Sequence, residues 1–199
     1  MSNTAGKGGI RRLTALSIIA AIIVVLTVLA NFIRFGPFSI SLVLCPIIVG
    51  AALYGPSAGA LLGGIFGLVV IITGIFGWDG GTVMLLMSAN PIGVFVICLV
   101  KGIAAGWCAG AVYKLFEKKN MKLAVVIAGI VAPVVNTGLF VLLMLVFYKD
   151  ILASWAGGTA MLTYIITGLC GINFLIELVV NMVLATGVTT IIKYGKKRA

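Results

Sequence analysis

The sequence predicts an all-α integral membrane protein with six transmembrane helices. Hydrophobic residues make up 62% of the 199 positions and charged residues only 9%, and the mean hydropathy is +1.30. A helix needs about 20 apolar residues to cross the hydrocarbon core of a bilayer, so the chain has room for roughly five to seven. We therefore expect one membrane domain over residues 1–199, with no separate soluble catalytic domain.

Six apolar runs are separated by Gly-Pro pairs, glycine-rich turns and short charged segments. Gly55-Pro56 ends the second run, and Pro91 opens the fourth at the first helical position, which proline favours. The first run lacks a small-residue cleavage site and is interpreted as a retained helix, not a signal peptide. The predicted spans are 13–32, 40–54, 57–76, 91–116, 123–148 and 161–194.

The distribution of lysine and arginine predicts the orientation. With the N-terminus in the cytoplasm, the basic residues in outer loops are Arg34 and Lys149. The predicted cytoplasmic set is Lys7, Arg11, Arg12, Lys114, Lys118, Lys119, Lys122, Lys193, Lys196, Lys197 and Arg198. Because cytoplasmic loops are enriched in Lys and Arg, both termini are expected to be cytoplasmic. The same enrichment explains the net charge of +10 without a nucleic-acid partner.

Ionisable and amide side chains interrupt the apolar runs near their middles. Lys101 lies in the fourth run and Glu177 in the sixth, where an isolated charge costs roughly 2.5–3.5 kcal/mol on insertion scales. Asn173, Glu177 and Asn181 are four residues apart and form a polar stripe on one helix face. Asn136 lies at a similar depth in the fifth run, so these side chains are expected to meet.

Two interpretations of this cluster remain open. In the structural one, Lys101 and Glu177 form a buried pair and the asparagines cross-link helices. In the functional one, the pair is the floor of a ligand pocket. The hydrogen-bonding candidates are then Asn90, Asn136 and Asn173. Polar residues inside a membrane bundle often mark a substrate path.

The outer loops and the glycines also have two interpretations each. Trp78 and Trp155 in the outer loops are either interface anchors or parts of a lid over a pocket. Glycines recur every fourth residue in two ladders, which either pack helices within the chain or contact a partner's helices. The ladders are Gly55, Gly59, Gly63 and Gly67, and Gly102, Gly106 and Gly110.

The composition argues against enzymatic and metal chemistry. The chain has no histidine and only four acidic residues. Its cysteines lack metal-type spacing, and an active site would have to rely on Lys101 and Glu177 without a second acid or a nucleophile elbow. We therefore expect no catalytic residues, no bound metal and no cofactor.

Four segments together resemble the S components of energy-coupling factor (ECF) vitamin transporters. They are SIIAA (17–21), PIIVGAALYGPSAG (46–59), NPIG (90–93) with Lys101-Gly102 below it, and NFLIEL (173–178) with Asn181. The similarity extends over roughly residues 10–195.

The resemblance implies a six-helix subunit that captures a vitamin or related nutrient at the plasma membrane of a bacterium. The partners it implies are a transmembrane coupling subunit and two cytoplasmic ATPases, which would drive delivery. The family docks through an Ala-x-x-x-Ala motif on the first helix, where this chain has Ser17 and Ala21. Family pockets lie in the outer half, which implies the binding residues Asn90, Asn136, Asn173, Trp78 and Trp155. The pantothenate-like subgroup is the first expectation for the substrate.

A different class of function stays open beside this one. The chain could instead form a small homo-oligomeric channel, a self-contained carrier or a membrane assembly protein, with the glycine ladders as contacts between copies. Co-purification separates these hypotheses, because an S component recruits a coupling subunit whereas a channel forms a closed homo-oligomer.

Overall fold

The computed structural model describes the backbone of residues 4–32, 34–35, 38–39 and 42–198. Within these, the side chains of residues 4–8, 34–35, 38–39, 169–170, 172–173, 185–186 and 196–198 lie outside the description. The described chain is a bundle built almost wholly of apolar helices, which confirms the predicted all-α membrane fold.

The α-helices of the described residues follow one another along the chain with few long connections. In order they are α1 (Thr4–Ala30), α2 (Leu44–Tyr54), α3 (Pro56–Ile75), α4 (Thr82–Ala89), α5 (Pro91–Phe116), α6 (Met121–Phe147), α7 (Lys149–Ala156), α8 (Met161–Tyr164) and α9 (Ile172–Arg198). A π-helical stretch, Ile165–Gly171, joins α8 to α9. Between α1 and α2, strand β1 (Arg34–Phe35) pairs antiparallel with strand β2 (Phe38–Ser39).

Local chemistry fixes where α5 and α6 begin. The side-chain oxygen of Asn90 accepts a hydrogen bond from the backbone N–H of Gly93 at 3.1 Å. That of Asn120 accepts from the N–H groups of Lys122 at 3.0 Å and Leu123 at 3.2 Å. The first turn of a helix leaves its N–H groups without intrahelical partners, and asparagine side chains satisfy them.

Four described helices are long and apolar enough to cross a membrane: Gly9–Ala30, Pro56–Ile75, Pro91–Phe116 and Met121–Phe147. Two bent pairs raise the number to six if each crosses as one span. They are Lys149–Ala156 with Met161–Gly168, bent by 85°, and Phe174–Leu184 with Gly187–Gly195, bent by 52°. The α2 helix has 11 residues, and the predicted start of its span at residue 40 lies outside the described residues. The six-span count and the cytoplasmic termini therefore stay predictions.

Two short helices occupy segments that the sequence predicted as outer loops. The α4 helix packs Val83 onto α3, where a Cβ on Gly74 would lie 2.5 Å from the Cβ of Val83. The α7 helix buries Leu152 and Ala156. Both have eight residues, too few to cross a bilayer, and they cover one end of the bundle.

The closest helix contact in the described fold joins α3 to α5 through glycines. A Cβ on Gly63 would overlap the carbonyl oxygen of Gly102, and a Cβ on Gly59 would overlap that of Gly106. The two backbones touch because neither helix has a side chain at the contact. We call Gly59, Gly63, Gly67, Gly102 and Gly106 the glycine spine. The spine packs helices within the chain, the first of the two interpretations of the ladders.

The outer members of the predicted ladders behave differently. Gly55 has φ of +92° and separates α2 from α3, and a Cβ there would meet no described atom within 4 Å. It serves the turn, because this left-handed backbone conformation favours glycine. Gly110 extends the α5 contact to the start of α3, where its Cβ would lie 2.8 Å from the Cα of Pro56.

Buried apolar side chains form two clusters. One joins α2 to α6 and the last turns of α9, with Ile47, Val125 and Ile192 at its centre. The other lies under α4 and α7, with Leu86, Ile97 and Met144. Residues from both clusters line a cavity between them, which is where the predicted polar residues converge.

Candidate functional site

The cavity between the two apolar clusters has a volume of about 150 Å³ and is lined by α1, α3, α4, α5, α6 and α9. Its lining includes three residues of the predicted site, Lys101, Asn136 and Glu177. These three side chains, which the sequence predicted to meet, come from three different helices and line one cavity.

Helix geometry gives the depth of these residues. Lys101 is ten residues after the start of α5, and Asn136 is eleven residues before the end of α6. Phe66 is nine residues before the end of α3. At 1.5 Å per residue the three lie about 14–17 Å from their helix ends, which is about half of a hydrocarbon core of about 30 Å. We call these three residues, together with Glu177 of α9 in the same cavity lining, the deep part of the cavity.

The Lys101 ammonium lies between two aromatic rings. Its Nζ is 5.8 Å from the centre of the Phe66 ring and 5.0 Å from that of Phe140. Such cation–π contacts stabilise an ammonium by roughly 0.5–2 kcal/mol. Although Lys101 and Glu177 face the same cavity, no ion pair joins them within the described part of the chain. The buried pair of the structural interpretation is thus not formed.

Asn136 and Glu177 are both buried, each with 7% of its surface exposed. The side-chain oxygen of Asn136 has no hydrogen-bond partner among the described residues. An unsatisfied buried acceptor costs about 1–3 kcal/mol, so this oxygen is ready to accept a hydrogen bond from a ligand. Asn181, one turn beyond Glu177, is buried as well, and its Nδ2 finds no partner within the described chain.

The shallow part of the cavity contains polar residues that the sequence analysis did not select. Thr27 and Asn31 face it from the end of α1, and Thr82 faces it from α4. Asp79 also lines it, but its carboxylate accepts hydrogen bonds from the backbone N–H groups of Gly81 at 3.1 Å and Val83 at 2.6 Å. Asp79 therefore holds the first turn of α4.

A sequence signal for Thr27 and Asn31 existed. They interrupt the second half of the first apolar run, four residues apart, the same spacing that drew attention to Asn173 and Glu177. The hydroxyl of Thr27 donates to the carbonyl of Ile23 at 2.7 Å. Polar groups within one apolar helix face indicate a polar interior.

Asn90 has a local structural role. Besides capping α5 with its side chain, it accepts a hydrogen bond on its backbone oxygen from the hydroxyl of Tyr148. Tyr148 packs on Gly93, where a Cβ would lie 2.7 Å from the tyrosine oxygen. Asn90 is not among the described residues that line the cavity.

The two predicted tryptophans lie around the cavity and not in its described lining. Trp78 is half exposed and precedes Asp79, with its ring centre 6.0 Å from that of Phe76. Trp155 packs partly buried against the apolar cluster under α4 and α7. The helix position of Asn173 is described, but its side chain lies outside the description.

The predicted docking residues lie on the exposed side of α1. Ser17 and Ala21 are both solvent- or lipid-accessible in part, and the Ser17 hydroxyl donates to the carbonyl of Leu13 at 3.0 Å. Ile18, Ile22 and Val25 are exposed on the same helix. An apolar face of this kind contacts lipid or another membrane subunit.

A family model described as ECF transporter, substrate-specific component, matches residues 11–189. The chain belongs to this family. The match runs from α1 through most of α9, so this S component carries the family's membrane domain from near its first span to its last helix. Comparison with the curated proteins found no match.

Family membership and helix composition together define the coarse function. The chain is a multi-pass membrane protein and a substrate-specific component of an ECF transporter. The family is one of transporter components that bind the substrate. The family implies a small-molecule substrate and the coupling and ATPase subunits of the transporter as partners.

Proposed function

We propose that this S component captures a vitamin-sized nutrient outside a bacterial cell, with pantothenate as the first candidate, and holds it in the cavity between α1, α3, α5, α6 and α9. The supporting observation is that Lys101, Asn136 and Glu177, from three apolar helices, line one cavity in a member of a substrate-binding family. Polar groups there are unfavourable unless they serve a ligand or one another.

The cavity is smaller than the roughly 300–1,000 Å³ of typical ligand pockets. A vitamin-sized molecule therefore needs more space, which α4 can provide by moving outward. The turn before α4 contains glycines with positive φ, namely Gly77, Gly80 and Gly81. Movement at this turn would leave the glycine spine between α3 and α5 intact.

Delivery is proposed to follow docking of the exposed side of α1, around Ser17 and Ala21, onto the coupling subunit. Two cytoplasmic ATPases then supply the energy. In this proposal both termini are cytoplasmic, and the Lys and Arg distribution supports this orientation. The small side chains at these two positions permit close approach of a partner helix.

Tryptophan fluorescence of the detergent-purified chain tests capture directly. Trp78 is next to a cavity-lining residue, and Trp155 packs on the cluster that contributes to the lining. The third tryptophan, Trp107, is half exposed on α5 beyond the cavity, so a Trp107→Phe variant removes its background signal. The titrants are pantothenate, riboflavin and folate, followed by the other water-soluble vitamins.

A saturable change at nanomolar to micromolar concentration of one titrant supports capture and identifies the substrate. Capture is then linked to transport by co-purification with the coupling subunit and the ATPases. A flat response to every vitamin, together with a closed homo-oligomer in detergent, would contradict the proposal and favour a channel or carrier.

A further inference from the structure

The two ionisable side chains of the deep part, Lys101 and Glu177, face one cavity, and no ion pair joins them within the described part of the chain. An ionised side chain buried in a bundle is stabilised most simply by contact with its counter-charge, and a lysine side chain is long and flexible. Lys101 is nevertheless held between the rings of Phe66 and Phe140. These contacts orient the ammonium, and no carboxylate of the described residues forms an ion pair with it.

The other side of the deep part presents hydrogen-bond acceptors. Glu177 is buried on α9, and the buried side-chain oxygen of Asn136 on α6 has no partner in the described part of the chain. Asp79 does not add a free acceptor of the same kind, because two backbone N–H groups already occupy its carboxylate. The deep part thus offers a cationic donor from α5 and acceptors from α6 and α9.

We propose that the deep part is a bipolar clamp, which selects a substrate carrying an anionic group for Lys101 and N–H or O–H donors for Glu177 and Asn136. This inference rests on the proposed function and adds the chemical class of the substrate. Hydroxy acids, amide acids and zwitterions belong to this class, and pantothenate fits it through its carboxylate, amide N–H and hydroxyl groups.

The clamp discriminates against molecules that match one pole alone. An anion without donors leaves the oxygens of Glu177 and Asn136 without a hydrogen-bond partner. A cation meets the ammonium of Lys101. Buried groups that are left unpaired in this way give a binding site its strongest selectivity.

Pairs of ligands that differ only at the acid group test the clamp on the unaltered chain. Suitable pairs are pantothenate with pantothenol and biotin with its amide, because each acid also carries N–H or O–H donors. We expect the acid of the pair that binds to have an affinity about tenfold or more above its neutral partner, equivalent to ~1.4 kcal/mol. Equal affinity of acid and neutral partner overturns the clamp.

Two substitutions then test the two sides of the clamp separately, the Lys101 ammonium and the Glu177 side chain. Lys101→Met keeps the length of the side chain and should lower the affinity of the acid to that of its neutral partner. Glu177→Gln should weaken both members of the pair alike, by about 10- to 150-fold for a lost charge-assisted hydrogen bond. The matched controls, Lys114→Met in the last turn of α5 and Glu117→Gln at its C-cap, should change neither affinity.

The outcomes separate the clamp from the proposed function. Saturable binding with no preference for the acid, or with equal losses for acid and neutral partner in Lys101→Met, overturns the clamp and leaves capture intact. Failure of every pair to bind to the unaltered chain overturns capture and the clamp together. Thermal unfolding of each variant in detergent shows whether a lost affinity reflects a lost fold.

Discussion

Substituting Asn136 by leucine separates two effects of this buried side chain, its cost to the stability of the fold and its contribution to ligand binding. The side-chain oxygen of Asn136 is buried and accepts no hydrogen bond from the described residues, so the substitution breaks no bond to it. Leucine has the same branched outline at Cγ and removes the unsatisfied acceptor. We expect the free energy of unfolding to rise by about 1–3 kcal/mol, the usual penalty for such a group.

The change is large enough to measure by thermal unfolding in detergent. For a chain of this length the Tm shifts by roughly 2–4 °C per kcal/mol, which gives an increase of roughly 2–12 °C. Asn120→Leu is the matched control in the same helix. Because Asn120 caps α6 through two backbone N–H groups, its substitution should lower stability by about 0.5–2 kcal/mol.

The same variant should lose affinity for the substrate. If the ligand donates to the oxygen of Asn136, leucine weakens binding by about 1–3 kcal/mol, or about 5- to 150-fold. Higher stability with lower affinity is the pattern of a site whose polarity serves function. A lower Tm for Asn136→Leu, parallel to that of Asn120→Leu, would refute the view that this oxygen lacks a partner.

Three further outcomes are expected. Gly63→Ala places a methyl group against the backbone of α5 and should destabilise the chain by about 1–3 kcal/mol. The control Gly138→Ala, with no described atom within 4 Å of the new Cβ, should stabilise it by about 0.5–1 kcal/mol. Equal Tm values for the two variants would contradict the backbone contact between α3 and α5. Ser17→Leu and Ala21→Leu should each abolish uptake and co-purification with the coupling subunit while ligand affinity stays unchanged, and uptake that survives both would exclude docking at this face. Asp79→Ala should weaken ligand binding by loosening α4, whereas Asp79→Asn keeps a capping oxygen and should bind nearly as well; equal losses would indicate that the ligand needs the charge itself.

The long helices were predictable because the bilayer demands continuous apolar runs and because caps mark their ends. The predicted fourth span, 91–116, has the bounds of α5, where Asn90 and Pro91 form a start signal. The α4 helix was not predictable in the same way. Its eight residues follow a glycine-rich turn and are too short for a span. The fold identifies the helix as part of the bundle, because Val83 packs on Gly74 and Leu86 is buried in an apolar cluster.

The polar residues of the site were predictable, because ionisable and amide side chains are rare within apolar helices and therefore stand out in the sequence. Lys101, Asn136 and Glu177 were selected for that reason and lie around one cavity. The aromatic neighbours Phe66 and Phe140 could not be selected, because aromatic residues in apolar runs carry no signal until the fold brings them to an ammonium. Asn90 was selected as a ligand contact, whereas the structure shows it as the N-cap of α5, a role that an asparagine before Pro91 also predicts.

The glycine spine separates the part of this chain that must stay constant from the part that is free to change. Backbone contact between α3 and α5 rejects any larger side chain at Gly59, Gly63, Gly102 and Gly106. Among the cavity residues on these two helices, the Phe66 ring borders the spine at Gly102, whereas Val70 and Ile97 are not among the atoms nearest to the spine glycines. Substitution at positions such as Val70 and Ile97 leaves the contact between the two backbones in place. Mutation can therefore exchange one cargo for another on an unchanged frame, so relatives with different substrates would share small residues along this seam while their cavity linings diverge.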